Sequence, residues 1–181
     1  FNTVDYSADG TALKIMDQTL LPGKIKFLEL RAKEDIREAI YMLRERALKE
    51  GKHLIYDEPE IAPPVMGDKN RLRQVFINII DNALKYTPEG GVIGIDVSHD
   101  EKNIKISISD NGCGIPAEHL PRIKDKFYKA NQTQRGSGIG LAVVDEIMRL
   151  HNGSLDIEST ENVGTTVTLT IPIYIETDDN K

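Results

Sequence analysis

Tryptophan is absent, aromatic residues make up 6% of the chain, and its 181 residues include one cysteine. The lone Cys113 excludes an internal disulfide framework and a cysteine zinc cluster. No apolar run approaches the roughly 20 residues that cross a bilayer. The first residues, Phe1 to Asp5, carry neither a basic start nor an apolar block, so no signal peptide is expected. An excess of positive charge is missing too. The formal net charge is -6 and the pI is near 5.3. Phosphate backbones demand a basic face, so a nucleic-acid binder is excluded. What remains, 39% hydrophobic and 29% charged residues, is the mix of a globular chain able to bury a core. Its length suits one domain, or one domain and a smaller piece. A cytoplasmic location without direct membrane contact is expected.

The periodicity of the sequence changes along the chain. Ala12 to Met16 and Ile25 to Leu30 read as short strands. Ile36, Ala39, Ile40, Leu43 and Ala47 recur at helical spacing, which predicts an amphipathic helix from Lys33 to about Lys49, ended by Gly51. His53 to Tyr56 reads as a strand, and Pro59, Pro63 and Pro64 enforce an extended connection. Asp68 is placed to cap a helix over 70–86 with Leu72, Val75, Phe76, Ile79, Ile80 and Ala83 inward. Strands follow at 91–98 and 103–110, joined as a hairpin by a polar turn. A short helix is expected near Pro116, a mobile loop over 124–137, and a helix from Gly138 to His151 capped by Asn152-Gly153. Strands at 154–159 and 165–173 and a frayed tail at 176–181 complete the chain. The pattern predicts an α+β fold: a two-layer sandwich of a mixed sheet with helices on one face.

Chemistry-bearing residues fall into this frame. Asn78, Asn82 and Lys85 lie at i, i+4 and i+7 on one helical line. Two amides and an ammonium so placed can serve a metal ion and phosphates, or form a plain solvated face. Ile104, Ile106 and Ile108 share parity with Asp110, which puts its carboxylate on the buried face. A buried carboxylate needs a partner. An adenine amino group could supply it, as could backbone N–H groups of the following glycine turn. Glycines cluster at Gly112/Gly114 and at Gly136/Gly138/Gly140. The second cluster opens a helix, whose free N–H groups and dipole attract phosphate. Neither cluster is a Walker A loop or a dinucleotide fingerprint. Cys113, between two glycines, reads as a small space-filling residue, or as a reactive thiolate if its site is electropositive.

Taken in order, these motifs carry a resemblance. Residues from about 50 to 175 resemble the catalytic and ATP-binding domain of bacterial sensor histidine kinases, within the wider ATP-binding class shared with gyrase, Hsp90 and MutL. Asn78 to Pro88 resembles the N box, Asp110 to Pro116 the G1 box, Phe127-Tyr128-Lys129 the F box, and Gly136 to Leu141 the G2 box. The resemblance implies that Asn82 holds Mg²⁺ with Asn78 close by, that Lys85 reaches a phosphate, and that Tyr86 packs near the base. It implies that Asp110 accepts from the adenine amino group and that Gly112, Gly114 and Ile115 shape that pocket. Gly136, Gly138, Gly140 and Leu141 would serve the phosphates through backbone N–H groups. Phe127 would flank the nucleotide, and Lys129 and Arg135 would reach the γ-phosphate from an ATP lid over 124–137. Asn78 and Lys85 would be the catalytic pair. The related ATPases carry a Glu four residues before the metal-binding Asn. Asn78 stands there, and an amide is no general base, so poor hydrolysis and ATP kept for transfer are expected.

The chain's histidines, His53, His99, His119 and His151, lack the His-Glu-x-x-x-Pro setting of that family's phosphoacceptor. The implied partners are therefore ATP or ADP, a dimerisation and phosphoacceptor hairpin outside this chain, and indirectly a response regulator. His151, beside a helix C-cap that favours a cation, reads as structural. Residues 1–45 resemble instead the start of methylthioribose-1-phosphate isomerase, through Thr3-Val4-Asp5-Tyr6, Leu13 to Thr19, Leu21-Pro22 and Asp35 to Arg44. The organisation expected is an isomerase-like segment over 1–47, the kinase-like domain over 48–175 and a tail, which would make the chain a chimera. Two alternatives remain: an anti-sigma-type Ser/Thr kinase, and a nucleotide-binding module without turnover.

Overall fold

The structure, a computed structural model, describes residues 4–5, 26–128 and 138–175, with backbone only at 4–5 and 26–28. Its elements are β1 (Val4–Asp5), β2 (Lys26–Leu30), α1 (Ala32–Lys49), β3 (His53–Asp57), β4 (Val65–Gly67), α2 (Lys69–Tyr86), β5 (Val92–His99), β6 (Asn103–Asp110), a 3₁₀ turn (Leu120–Arg122), α3 (Gly140–Leu150), β7 (Ser154–Thr160) and β8 (Gly164–Pro172). The expected strand at 12–16, the tail at 176–181 and most of the loop over 124–137 lie outside the described residues.

A five-stranded sheet in the order β3-β5-β6-β8-β7 forms one layer. Only β3 runs parallel to its neighbour, so the sheet is mixed as expected. The β5–β6 hairpin turns where Asp100 Oδ1 accepts from the backbone N–H groups of Lys102 and Asn103, each at 2.8 Å. A second sheet of order β1-β2-β4 lies beside the first. The sequence pattern missed β4, because three residues after two prolines are too short to establish a period.

The helices bury one stripe each against this sheet. Ile93 and Ile95 of β5, Ile104, Ile106 and Ile108 of β6, and Leu169 and Ile171 of β8 pack with Phe76, Ile79 and Ile80 of α2 and with Val144, Ile147 and Met148 of α3 in one core. Ala32, Ile36, Ala39 and Ala47 of α1 join the same core. The expected boundary at 47/48 therefore falls inside an unbroken helix that shares its packing with the rest of the chain.

Two caps fix α2. The Asp68 carboxylate accepts from the N–H groups of Asn70 (3.0 Å) and Arg71 (3.1 Å), and Thr87 Oγ1 donates to Ala83 O at 2.7 Å. Three boundaries differ from expectation. The helix expected near Pro116 is the shorter 3₁₀ turn at Leu120–Arg122, closed by the Arg122 N–H on His119 O at 3.0 Å after a separate turn in which the His119 N–H donates to Pro116 O at 2.9 Å. The last helix begins at Gly140, since Gly138 holds φ +70° and cannot be helical. Its C-cap is His151, and Asn152 takes the left-handed conformation at φ +54°.

His151 is structural, but as a neutral ring. It is buried, its Nδ1–H donates to Ile147 O at 2.7 Å, and its Nε2 accepts from the Asp68 N–H at 3.0 Å. Burial holds its pKa below the usual histidine value, which outweighs the C-terminal field that favours a cation. One ring thus joins the end of α3 to the start of α2.

Candidate functional site

A cavity of about 520 Å³ opens between the outward face of α2, the end of β6, the start of α3 and the segment 113–128. Periodicity explains how its first wall arises. The stripe of α2 beside the buried one carries Asn78, Asn82 and Lys85, and all of them line the cavity together with Tyr86. The Lys85 ammonium lies 5.0 Å from the centroid of the Tyr86 ring.

Ile108 of β6 and Val167 of β8 form an apolar floor, and the Asp110 carboxylate stands at its end. Asp110 pairs with Thr165 across the β6–β8 ladder, and its Oδ1 accepts from the Gly112 N–H at 2.9 Å. Burial raises its pKa, opposed by that hydrogen bond and by one from the Thr165 backbone. The carboxylate thus has two backbone donors, Gly112 in the turn and Thr165 in β8. It can accept another donor from the cavity.

The glycine turn after β6 makes room for this site. Cys113 N–H donates to Tyr86 O at 3.1 Å, and Cys113 O accepts from the Asn162 N–H at 2.7 Å. Gly114 sits at φ +65°, where an added Cβ would lie 2.0 Å from Thr160 O. Only glycine fits there. Ile115 N–H is held by Ser159 Oγ at 2.8 Å. Gly114, Ile115, Gly138, Gly140 and Leu141 all line the cavity. Among the described residues no side chain caps the N-terminus of α3, a helix end whose N–H groups and dipole suit an anionic ligand.

Not every expected residue reaches the cavity. Gly112 acts from behind, through its N–H on Asp110. Phe127 is 72% exposed at φ +65° and is not among the described residues lining the cavity, whereas Tyr128 is. Lys129, Arg135 and Gly136 lie outside the described residues. His119 and Ile123 line the cavity unforeseen, because a single His and a single Ile in an irregular segment carry no periodic signal. His119 Nδ1 and the Tyr128 hydroxyl are 2.6 Å apart. Cys113 is exposed, so it fills no interior gap, contrary to the space-filling expectation.

The donor set limits what could bind. Among the described residues no group of three His, Cys, Asp or Glu gathers as a metal cage. A cation here would meet neutral amide oxygens beside an ammonium, an arrangement that suits an ion sharing ligands with phosphate. The apolar floor with one acceptor suits a flat base carrying an amino group.

Comparison with known proteins agrees with this geometry. Residues 67–175 match the family described as histidine kinase-, DNA gyrase B- and HSP90-like ATPase. The adaptive-response sensory kinase SasA of Crocosphaera subtropica is 36% identical over 151 residues, covering 82% of this chain and 38% of the relative. That coverage exceeds what residues 48–181 could supply, so the likeness reaches back into the first 47 residues. The sensor histidine kinase WalK of Bacillus subtilis is 40% identical over 119 residues, or 62% of this chain and 20% of its own length. The chain thus spans less than two fifths of these relatives. Among solved structures, the catalytic domain of histidine kinase ThkA superposes with a TM-score of 0.71 at 29% identity, over 81% of this chain and 97% of that one. The mycobacterial sensor histidine kinase MprB gives 0.71 at 25% identity, over 81% and 98%. Fold, cavity and sequence match converge: this chain belongs to the histidine kinase-, DNA gyrase B- and HSP90-like ATPase family and carries the ATP-binding catalytic domain of its sensor histidine kinases.

Proposed function

We propose that this domain binds Mg-ATP in the cavity and donates the γ-phosphoryl group to a histidine on a dimerisation hairpin supplied in trans. The single observation that carries the reading is the placement of the Asp110 carboxylate, at the end of an apolar floor and opposite the amide-and-ammonium stripe of α2. Adenine would lie on Ile108 and Val167, with its amino group donating to Asp110. The triphosphate would run toward Asn78, Asn82, Lys85 and the N-terminus of α3. The amide oxygen of Asn82, with Asn78 beside it, would hold Mg²⁺ together with phosphate oxygens. When bound, the ion supplies charge neutralisation at the transferring phosphate.

The chain's own residues would position rather than react. Lys85 offers charge to the phosphates. No carboxylate occupies position 78 to activate water, which favours transfer over hydrolysis. The acceptor imidazole nitrogen would form its bond to the γ-phosphorus as the bond to the β–γ bridging oxygen breaks, leaving ADP. None of the chain's histidines stands on a helical hairpin: His53 is in β3, His99 in β5, His119 before the 3₁₀ turn, and His151 caps α3. The phosphohistidine would then pass to a response regulator. ThkA, a relative by structure at 25% identity, has been crystallised with the response regulator TrrA.

Calorimetric titration of Mg-ADP into the chain and into Asp110→Asn tests the site. Binding that weakens about tenfold or more in the variant is expected, since a hydrogen bond to a charged group contributes about 1.5–3 kcal/mol. Labelled ATP with an added histidine-kinase hairpin tests the transfer. Acid-labile label on the hairpin is expected. Acid-stable label on serine would replace this reading with the Ser/Thr kinase, and tight binding without transfer would leave a nucleotide-binding module.

A further inference from the structure

The cavity wall formed by residues 116–128 is a run of turns rather than a helix or a strand. Apart from one 3₁₀ turn it has no regular structure, yet His119, Ile123 and Tyr128 all face the cavity. Its internal backbone hydrogen bonds, His119 N–H to Pro116 O, Arg122 N–H to His119 O, Asp125 N–H to Arg122 O and Tyr128 N–H to Asp125 O, close successive turns, so the run is fixed against the other walls by contacts made outside those turns. Lys124 holds it. Its ammonium donates to Leu155 O of β7 at 2.7 Å and lies 3.5 Å from Asp145 Oδ1 of α3.

Those partners belong to the other walls. The N-terminus of α3 opens on the cavity at Gly140 and Leu141, and Ile157 of β7 also lines it. One side chain therefore ties three walls together, while Lys124 itself is not among the described residues that line the cavity. Within the tethered segment, Tyr128 is fixed by the 2.6 Å contact with His119 and by the Arg122 guanidinium 4.4 Å from its ring centroid. The Phe127 N–H closes onto Gly138 O at 2.9 Å.

We propose that Lys124 is a positioning residue for nucleotide binding: it holds His119, Ile123 and Tyr128 at the cavity through Leu155 O and Asp145, without touching the nucleotide. The chemistry explains the residue type. A carbonyl and a carboxylate together call for a long stem carrying a cationic donor, and lysine meets that need. The charge-assisted hydrogen bond to the carbonyl is the stronger tie. The ion pair is part-exposed, at 41% for Lys124 and 34% for Asp145, and contributes less.

The inference rests on the nucleotide reading of the cavity, and the test separates the two. Mg-ADP affinity and nucleotide-free melting temperature are measured for the whole chain and for Lys124→Met, Lys124→Arg and Asp145→Asn. Asp110→Asn reports on the cavity, and Val97→Ala, on β5 away from it, is a stability control. Lys124→Met should weaken binding about tenfold, the equivalent of about 1.4 kcal/mol. Lys124→Arg should restore most of the affinity, and Asp145→Asn should weaken it less than Lys124→Met. Val97→Ala should lower the melting temperature without changing affinity. Unchanged affinity in Lys124→Met, or a loss that Val97→Ala reproduces at equal melting temperature, overturns the positioning role alone, provided Asp110→Asn still weakens binding. No binding by the unaltered chain overturns both readings.

Discussion

Asp35 is buried on the α1 face that packs against α2, with 2% of its surface exposed and its Oδ1 without a hydrogen-bond partner among the described residues. Lys69 Nζ lies 3.9 Å from that oxygen, and Glu38, Arg73 and Glu34 also act on it. Burial dominates over these charges and raises its pKa from 3.8 to about 6. The native state therefore binds this proton more tightly than the unfolded chain does. The linked stability is fully present below pH 3.8 and is lost as pH rises through about 6. A shift of that size corresponds to at most about 3 kcal/mol, at 1.36 kcal/mol per pH unit.

Asp35→Asn removes the ionisation and keeps the shape. The variant should gain on the parent as pH rises, by up to about 3 kcal/mol between pH 3.5 and pH 8, with about half of that gain reached at pH 5. For a chain of this size that is about 6–12 °C in melting temperature. Urea titrations of both proteins at pH 4, 5, 6, 7 and 8 measure it. His151, whose lowered pKa destabilises the fold as pH falls below 6.5, is present in both proteins and cancels in the difference. A stability difference that stays constant with pH, or a variant that loses ground to the parent as pH rises, would refute the reasoning.

Further consequences can be checked singly. His151→Ala leaves the Asp68 N–H without its acceptor and opens a cavity between α2 and α3, so urea unfolding should show a loss of about 3 kcal/mol. Gly114→Ala places a methyl 2.0 Å from Thr160 O at a positive φ; circular dichroism should show a marked loss of thermal stability, and Mg-ADP binding should fail. Tyr128→Phe removes the hydroxyl that meets His119 and should weaken Mg-ADP binding severalfold, at about 1 kcal/mol per hydrogen bond. Unchanged calorimetric affinity would remove the Tyr128–His119 pair from the site.

Much of the site was legible in the sequence because it rides on regular elements. A 3.6-residue period turns the spacing of Asn78, Asn82 and Lys85 into one stripe beside the buried stripe of α2. A two-residue period sends Asp110 to the same face as Ile104, Ile106 and Ile108, and Ile108 and Asp110 line the cavity together. Irregular segments have no such rule. Tyr128 rather than its neighbour Phe127 faces the cavity because Phe127 adopts a positive φ and turns its ring outward, a choice made by the hydrogen bond between its N–H and Gly138 O.

Sequence alone thus determined the amphipathic helices, the parity of the β6 strand, the Asp68 cap and the line of amides along α2, since each depends on residues a few positions apart. Tertiary structure decided what depends on distant partners. It paired β2 with β4 into a second sheet, packed α1 into the same core as α2, and held His151 neutral between Asp68 and Ile147. It also set Lys124 between Asp145 and Leu155. These outcomes follow from which buried groups meet which donors across the fold, a matching that no local period encodes.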